Sequence, residues 1–321
     1  MSLSSSPDRV QDLSASPMTD ETDMIPAPVP PTATVYIVGA GPGDPEMLTI
    51  KAKRLIETAD VVLYANSLVP QQILDMADSD AELIATANKT LEEILPLMVE
   101  RVKAHKTVVR LHSGDPSLYG AVYEQMQFLA NAQIPFEIVP GISAFQAAAA
   151  RLNVELTVPG LVQTIILTRV SGRTQVPEPE ELVGLAAHQA SLCLYLSARH
   201  VDNSQAKLLQ HYPADTPVAV CFRLGWPDEQ IWVVPLSDMS AVTKEQKLER
   251  TTLYLISPAL KTAHPLPDPR IEIQAGVLQV SNDGESSGGA ESSEDNQRRS
   301  RLYNPEHHHL FRPNKKESRS S

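Results

Sequence analysis

Two stretches decide the fold of this chain: Val38-Gly-Ala-Gly-Pro-Gly-Asp-Pro45 and Leu111-His-Ser-Gly-Asp-Pro-Ser-Leu-Tyr-Gly120. Each places glycine, aspartate and proline directly after an apolar run. In a parallel sheet the chain leaves the carboxyl ends of the strands through such turns, and ligands bind in the crevice there. Two turns of this kind in one half of a chain indicate an enzyme that acts on a small molecule.

Apolar runs and helical periodicities alternate around these turns. In the first half, strands are predicted at 35–38, 61–64, 107–111 and 136–139, with helices over 48–59, 91–104, 117–130 and 143–152. In the second half, strands are predicted at 164–167, 192–196, 218–222, 231–234 and 253–256, with helices near 180–188, 202–209 and 239–246. This alternation predicts an α/β fold with a mostly parallel sheet. We expect an N-terminal α/β domain over 34–155 and a C-terminal α/β domain over 156–263.

The two ends of the chain differ in composition from the rest. Residues 1–33 are rich in Ser, Pro, Asp and Thr, and residues 264–321 are mostly polar. Neither segment has enough apolar surface to offset the entropy of ordering, so both are predicted to be disordered tails. The tails could recruit partners, which the sequence does not identify.

Charge and hydropathy exclude several classes of partner. The formal net charge is −12; the two tails account for −4 and −1 of it, which leaves −7 on the core. Nonspecific nucleic-acid binding needs a cationic footprint, so no nucleic-acid partner is expected. No apolar stretch approaches the length that crosses a membrane, and the N-terminus does not resemble a targeting signal. We therefore expect a cytoplasmic protein whose two cysteines, Cys193 and Cys221, are buried core thiols.

The glycine turns do not match the common nucleotide-binding motifs. The dinucleotide fingerprint needs a glycine three residues after its second glycine, and after Gly39 and Gly41 that position holds Asp44. No Gly-Lys-Ser/Thr follows, which excludes a Walker phosphate loop. In these turns a ligand can approach the glycine backbone closely, beside the carboxylate of a rigidly held aspartate. Such a surface suits a ligand with amide, hydroxyl or cationic groups. A sulfonium cofactor that carries an amino acid and an adenosine fits, although glycine and proline could simply shape tight turns whose aspartates cap helices.

Four blocks of the chain resemble the tetrapyrrole (corrin/porphyrin) methyltransferase family. They are Val35–Glu46, Ala59–Tyr64, Arg110–Gly120 and Val139–Ala144. Further blocks resemble the branch of the family that methylates C11 of precorrin-4 or cobalt-precorrin-4. These blocks are Ala65–Val69, Pro159–Arg173 and Phe222–Glu229. The resemblance covers 34–260 and leaves both tails outside.

The resemblance implies two α/β domains with S-adenosylmethionine in the cleft between them, a tetrapyrrole substrate, and a homodimer. It also implies a set of contacts to the cofactor. Pro42 and Gly43 would border the cleft; Ser113, Gly114 and Asp115 would hold the methionine part, with Leu118 packed nearby; Ser143 and Ala144 would make the next contact at a strand end; Leu196 and Ala219 would enclose the adenine.

A polycarboxylate substrate would need local cations in an acidic core, because exposed charges act over a Debye length of roughly 8 Å. Arginine pairs bidentately with carboxylates, and four arginines lie near predicted strand ends or the loop over 170–179. They are Arg110, Arg169, Arg173 and Arg223. Each could instead be a surface residue or form an internal ion pair. We expect at least one of the four to contact substrate.

The sequence assigns no catalytic base. His112 and Tyr119 flank the Gly-Asp-Pro turn and could assist, but a strand-end histidine bonded to backbone is the simpler interpretation of His112. His307–His309 suggest a metal site, yet three adjacent histidines in a polar tail define no coordination geometry, so no metal site is expected.

Two other functions stay open at this point. A relative in the same family could methylate uroporphyrinogen III, a different precorrin carbon, or the diphthamide or ribosomal RNA substrates. The chain could also be a noncatalytic cofactor-binding or scaffold protein.

Overall fold

The first sheet is built from the strands that end in the glycine turns. A computed structural model describes residues 35–172 and 174–278. The strands of the first sheet are Val35–Gly39 (β1), Val61–Tyr64 (β2), Glu82–Ala85 (β3), Val108–His112 (β4) and Phe136–Val139 (β5). Their order is β3-β2-β4-β1-β5, and every pairing is parallel, as predicted. The edge strand β3 is missing from the sequence prediction.

Five helices follow or connect these strands. They are Ile50–Thr58 (α1), Gln71–Leu74 (α2), Leu91–Lys103 (α3), Tyr123–Asn131 (α4) and Ala144–Arg151 (α5). Helix α1 begins where the Thr49 hydroxyl accepts a hydrogen bond from the amide of Ala52 (3.1 Å). Helix α3 starts at Leu91, as predicted, and contains Pro96 in its interior. Helix α4 starts later than the predicted residue 117, because the chain up to 122 forms the turn after β4.

The second sheet is mixed. Its strands are Ile165–Arg169 (β6), Ser191–Tyr195 (β7), Pro217–Phe222 (β8), Gln230–Pro235 (β9), Thr252–Ile256 (β10) and Ile271–Ile273 (β11). The order is β11-β9-β8-β10-β7-β6, with antiparallel pairing among β9, β8, β10 and β7. The prediction of a mostly parallel arrangement therefore holds for the first sheet only. The helices here are Leu182–Ala186 (α6), Val201–Leu208 (α7) and Met239–Glu245 (α8).

Short 3₁₀ turns complete the described chain. They cover Pro45–Met47, Glu178–Glu180, Ala198–His200, Leu236–Asp238 and Pro258–Thr262.

Side chains alternate across the first sheet and bury both of its faces. Tyr36 and Val38 pack with α1, whereas Val35 and Ile37 pack with α3 and α4. This is the pattern expected of parallel strands covered by helices on two sides. In the second sheet one face packs on α6, α7 and α8. The other face packs on Ala148 of α5 and on Leu152, the residue directly after that helix.

Helix α5 bears on the predicted division of the chain. By position in the sequence it belongs to the segment 34–155, yet it packs against the second sheet. The boundary at 155 remains a prediction.

The predicted C-terminal tail is wrong in its first part: residues 264–278 are not structureless, since β11 pairs with β9 and Leu278 packs in the core. Residues 279–321 and the N-terminal tail lie outside the described residues.

Strand order also locates a crevice. The connection after β1 leads to β2 on one side, and the connection after β4 leads to β5 on the other side. Ligands bind where neighbouring connections diverge in this way, at the carboxyl ends of the strands.

Among the described residues, no helix has the length and apolarity needed to span a membrane.

Candidate functional site

Three glycines bring the turns after β1, β4 and β5 into backbone contact. A Cβ on Gly39 would lie 2.6 Å from the amide nitrogen of Gly141 and 2.7 Å from the carbonyl oxygen of Gly114. A Cβ on Gly141 would overlap that same carbonyl oxygen. Real Cβ atoms do not approach backbone so closely, so the turns can meet only as glycines.

Hydrogen bonds then fix the first two turns to each other. The amide of Gly114 donates to the carbonyl of Gly41 at 2.7 Å, and the amide of Gly41 donates back at 3.2 Å. Both residues have φ near +66°, in the left-handed region that favours glycine. The glycine pattern in the sequence is therefore a requirement of this backbone pairing.

Asp115 ties the second turn to the third. One carboxylate oxygen accepts a hydrogen bond from the amide of Gly141 (2.9 Å), and the other accepts from the amide (2.8 Å) and hydroxyl of Ser117. Burial raises the pKa of Asp115, but these hydrogen bonds outweigh it and hold the pKa below its usual value. Asp115 is thus ionised at neutral pH and rigidly placed.

The second sheet closes the crevice with side chains at the end of β7. The hydroxyl of Tyr195 shares a hydrogen bond with the hydroxyl of Ser143 (2.9 Å) and accepts one from the amide of Phe145 (3.2 Å). The rings of Tyr195 and Tyr119 lie 5.3 Å apart at a tilt of 46°. The next residue, Leu196, has φ of +53° and leaves 68% of its surface exposed.

A cavity of about 530 Å³ lies between these elements. Its size is in the range of sites for small molecules and cofactors. Eight of the ten residues predicted to contact a cofactor line it: Pro42, Ser113, Gly114, Asp115, Leu118, Ser143, Ala144 and Leu196. Both predicted assisting residues, His112 and Tyr119, line it as well.

The other two predicted contacts lie outside the lining. Gly43 packs against Trp226, and its carbonyl accepts a hydrogen bond from the side-chain amide of Gln72 (2.7 Å). That amide also bonds the carbonyl of Gly225 (2.9 Å), so Gly43 helps join the two halves of the chain. Ala219 is fully buried within β8, and Cys221, two residues along the same face of the strand, reaches the cavity instead.

The four predicted arginines have different surroundings. Arg110, on β4, lines the cavity. Arg169 donates hydrogen bonds to the carbonyl oxygens of Val170, Thr174 and Gln175. Its guanidinium therefore holds the loop that follows β6. Arg223 forms an ion pair with Asp228 and stacks on the ring of Trp226 at 4.2 Å. Arg173 lies outside the described residues.

Arg110 is unusual because it is buried without a counter-ion. It is only 8% exposed, and no carboxylate among the described residues pairs with it. Its Nη1 donates to the hydroxyl of Thr86 (2.8 Å), while its Nε has no partner. Burial lowers its pKa to about 10, so the guanidinium stays charged at neutral pH. An uncompensated buried charge at a cavity wall is suited to an anionic ligand.

His112 and Tyr119 carry no charge at neutral pH. Burial, and then the nearby charge of Arg110, lower the pKa of His112 to about 4. The imidazole bonds the backbone of Gly120, as the simpler interpretation of the sequence predicted, and its Nε2 has no partner among the described residues. Burial raises the pKa of the Tyr119 hydroxyl above its usual value.

Several lining residues escaped the sequence analysis. Tyr195, Arg199, His200 and Arg250 all line the cavity from the second half of the chain. Arg199 pairs with Glu249 (3.3 Å), and the pair is exposed. None of these residues lies in a glycine turn, so the sequence offers no local motif that marks them.

Both cysteines are buried, as predicted, and burial raises the pKa of Cys193 to about 12. No cluster of three or more potential metal ligands occurs within the described part of the chain. The histidines at 307–309 lie outside it.

Comparison with known proteins gives a consistent picture. The family model for tetrapyrrole (corrin/porphyrin) methylases matches residues 34–240. The cobalt-precorrin-4 C(11)-methyltransferase of Methanocaldococcus jannaschii is 45% identical over 70% of this chain and 88% of its own length. The precorrin-4 C(11)-methyltransferase of Pseudomonas aeruginosa is 41% identical over 87% of this chain and 99% of its own.

Solved structures of such enzymes share the fold. The X-ray structure of the cobalt precorrin-4 methyltransferase CbiF matches with a TM-score of 0.68 and 42% identity, over 70% of this chain and 95% of that one. The uroporphyrin-III C-methyl transferase of Thermus thermophilus, complexed with S-adenyl homocysteine, matches with a TM-score of 0.61 and 29% identity. That match covers 72% of this chain and all of the other.

Proposed function

This chain belongs to the tetrapyrrole (corrin/porphyrin) methylase family, and from that premise we propose that it methylates C11 of precorrin-4 or cobalt-precorrin-4 in cobalamin biosynthesis. S-adenosylmethionine is the methyl donor of this family of methyltransferases. The observation that carries the proposal is the cavity at the diverging connections of β1 and β4, in whose wall Arg110 is buried with no carboxylate partner among the residues that the structure describes.

The wall of the cavity fits S-adenosylmethionine. The glycine turns present backbone at close range, which suits an amino-acid moiety, and Ser113, Gly114 and Asp115 are placed to receive it. Leu118, Ala144 and the exposed Leu196 offer apolar surface for the adenine. Gly43 and Ala219, which were also expected to contact the cofactor, lie outside the cavity lining and would support the residues that form it.

Arg110 supports the assignment of a polycarboxylate acceptor. A carboxylate of the tetrapyrrole would neutralise the buried guanidinium and could accept from its Nε–H, which has no partner among the described residues. Arg199 and Arg250 lie at the same cavity and would face other carboxylates of the ring. An acidic core can thus hold an acidic substrate, because the cations that matter are local.

The protein would act mainly by alignment. S-adenosylmethionine supplies a methyl group that is already activated by its sulfonium. The rigid turns and Arg110 would hold the donor and the acceptor in line, which can contribute roughly 7–11 kcal/mol toward the barrier. His112, neutral at pH 7, would accept a hydrogen bond through Nε2 rather than carry a charge. We assign no general base.

A homodimer and a cytoplasmic location are part of the same proposal, as expectations from the family. Relatives are named for both cobalt-precorrin-4 and precorrin-4, so cobalt would arrive within the substrate if it is present.

Mass spectrometry of the product tests the proposed function. The purified protein is given S-adenosylmethionine labelled with ¹³C in its methyl group, together with precorrin-4 or cobalt-precorrin-4. We expect a gain of one methyl group, placed at C11 by NMR, and the preference between the two acceptors reports the role of cobalt. Methylation of uroporphyrinogen III instead would favour the alternative suggested by the Thermus thermophilus structure. Binding of the donor without methylation of any tetrapyrrole would overturn the proposal.

A further inference from the structure

Thr86 occupies a position that no motif marks. It directly follows the edge strand β3 and is only 3% exposed. Its backbone amide donates to the carbonyl of Tyr64 (2.8 Å), and its hydroxyl donates to the same carbonyl (3.0 Å). The hydroxyl also lies 2.8 Å from Nη1 of Arg110.

The direction of these hydrogen bonds is determined by the groups involved. A carbonyl oxygen can only accept a hydrogen bond, so the Thr86 hydroxyl donates its single proton to the carbonyl of Tyr64. A guanidinium can only donate, so the same hydroxyl oxygen accepts from Arg110. The hydroxyl is therefore a fixed acceptor, anchored to the backbone of β2, for one N–H of the arginine on β4.

That acceptor is the only hydrogen-bond partner of the Arg110 side chain among the described residues. A long side chain loses up to about 2 kcal/mol of rotamer freedom when it is held in one conformation. A carboxylate ligand gains most from a guanidinium fork that is already oriented, since ordering then costs nothing at binding. A carboxylate in place of Thr86 would neutralise the arginine, whereas a hydroxyl orients it and leaves its charge available.

We propose that Thr86 is a positioning residue that orients the Arg110 guanidinium toward a carboxylate of the tetrapyrrole. This inference rests on the proposed function, because it takes the acceptor to be a tetrapyrrole polycarboxylate. It adds a specific role for β3: the edge strand places the hydroxyl at the carboxyl end of the sheet, beside Arg110.

The test replaces the hydroxyl by a methyl group of similar size, in Thr86→Val, and restores it in Thr86→Ser. For Thr86→Val we expect KM for the precorrin acceptor to rise about 5- to 20-fold, while the dissociation constant for S-adenosylmethionine stays within twofold of wild type. Thr86→Ser keeps the hydroxyl, so its KM should lie within about threefold of wild type.

Two further variants separate positioning from a general loss of stability. Thr243→Val removes a buried threonine hydroxyl from α8, where it bonds Met239 (2.8 Å) away from the cavity lining, and should leave KM unchanged. In an Arg110→Lys background, Thr86→Val should add less than twofold to KM, because the fork it orients is gone. An unchanged KM in Thr86→Val, or equal losses in the wild-type and Arg110→Lys backgrounds, would overturn the inference.

The inference can fail separately from the proposed function. Uroporphyrin III, a fluorescent tetrapyrrole polycarboxylate, serves as a binding probe, because its binding is measured without S-adenosylmethionine and so without methyl transfer. Weaker binding of this probe by Thr86→Val than by wild type and Thr86→Ser supports the positioning role even if precorrin-4 is not methylated. Equal binding of the probe by wild type, Thr86→Val and Thr86→Ser overturns the positioning role. A wild-type protein that binds neither uroporphyrin III nor precorrin-4 overturns it as well.

Discussion

Backbone contacts between turns shape the part of the cavity that the first sheet forms, although β4 adds the side chains of Arg110 and His112, whereas the second sheet contributes through side chains. The turns after β1, β4 and β5 meet at Gly39 and Gly141, which have no room for a Cβ, and at Gly114, whose φ of +67° favours glycine. The second half contributes Tyr195 and Leu196, which reach in from the end of β7. A parallel sheet brings all its carboxyl ends to one edge, but a mixed sheet does not, so its contribution has to be made by side chains.

This contrast predicts different sensitivities in the two halves. In the first half, a substitution that adds volume should displace the backbone of the turns and so weaken binding of S-adenosylmethionine. A substitution in the second half that removes volume should weaken binding while the fold stays intact.

The largest effect is expected for Gly141→Ala. The added methyl group would overlap the carbonyl of Gly114, and overpacking against backbone typically costs about 1–3 kcal/mol. Isothermal titration calorimetry should show at least a tenfold weaker affinity for S-adenosylmethionine, together with a lower melting temperature.

Gly184→Ala is the matched control. Gly184 lies inside α6, and a Cβ there would meet nothing within 4 Å. Replacing a helical glycine by alanine stabilises by about 0.5–1 kcal/mol, so this variant should bind the cofactor normally. If both alanine variants bind with wild-type affinity, backbone contact in the first half is not what shapes the site.

A smaller effect is expected for Leu196→Ala in the second half. Leu196 is largely exposed, so its removal should change the free energy of unfolding by less than about 0.5 kcal/mol. A bound adenine would cover it, and burying a leucine contributes about 1.5–3 kcal/mol. Part of that area remains in alanine, so we expect affinity for S-adenosylmethionine to fall about 5- to 10-fold.

Ile50→Ala tests whether any exposed aliphatic residue behaves in this way. Ile50 is 89% exposed and lies outside the cavity lining. Its variant should bind the cofactor as wild type does. A loss of stability in Leu196→Ala without a loss of affinity would contradict the role assigned to the second half.

The same contrast explains what the sequence could predict. The turns at Val38–Pro45 and Leu111–Gly120 are local: glycine, aspartate and proline after an apolar run specify both the bend and the end of a strand. Most of the first sheet and the side of the cavity that the glycine turns form were therefore predictable. The strand β3 was not, because its four residues show no alternation strong enough to separate them from a loop.

Contacts between distant residues account for the rest. Arg110 and Arg169 both follow the pattern of a cation near a strand end, and only tertiary structure separates them. Thr174 and Gln175 accept hydrogen bonds from Arg169, whereas Arg110, within the described part of the chain, meets one hydroxyl and no acid. Likewise, nothing in the sequence around Tyr195 indicates that its hydroxyl reaches Ser143, 52 residues away.

The smallest expected effect concerns Asp115, a side chain of the first half whose role is to hold backbone. Its pKa lies below the ordinary value of 3.8, so the carboxylate stabilises the folded protein above that pH. The stabilisation is lost as the pH falls through the lowered pKa of the folded state. Asp115→Asn removes one acceptor, and because the group is partly solvated we expect a loss of only about 1 kcal/mol at pH 7.

Urea unfolding of wild type and Asp115→Asn between pH 7 and pH 3 measures this contribution. The difference between the two proteins should be constant down to about pH 5 and should shrink below pH 3.8. Asp78→Asn, which changes an exposed carboxylate that accepts a hydrogen bond from the amide of Asp80 (2.9 Å), controls for the loss of one charge. A pH-independent difference would mean that Asp115 acts through its shape and not its charge, and the first half would then depend on backbone packing alone.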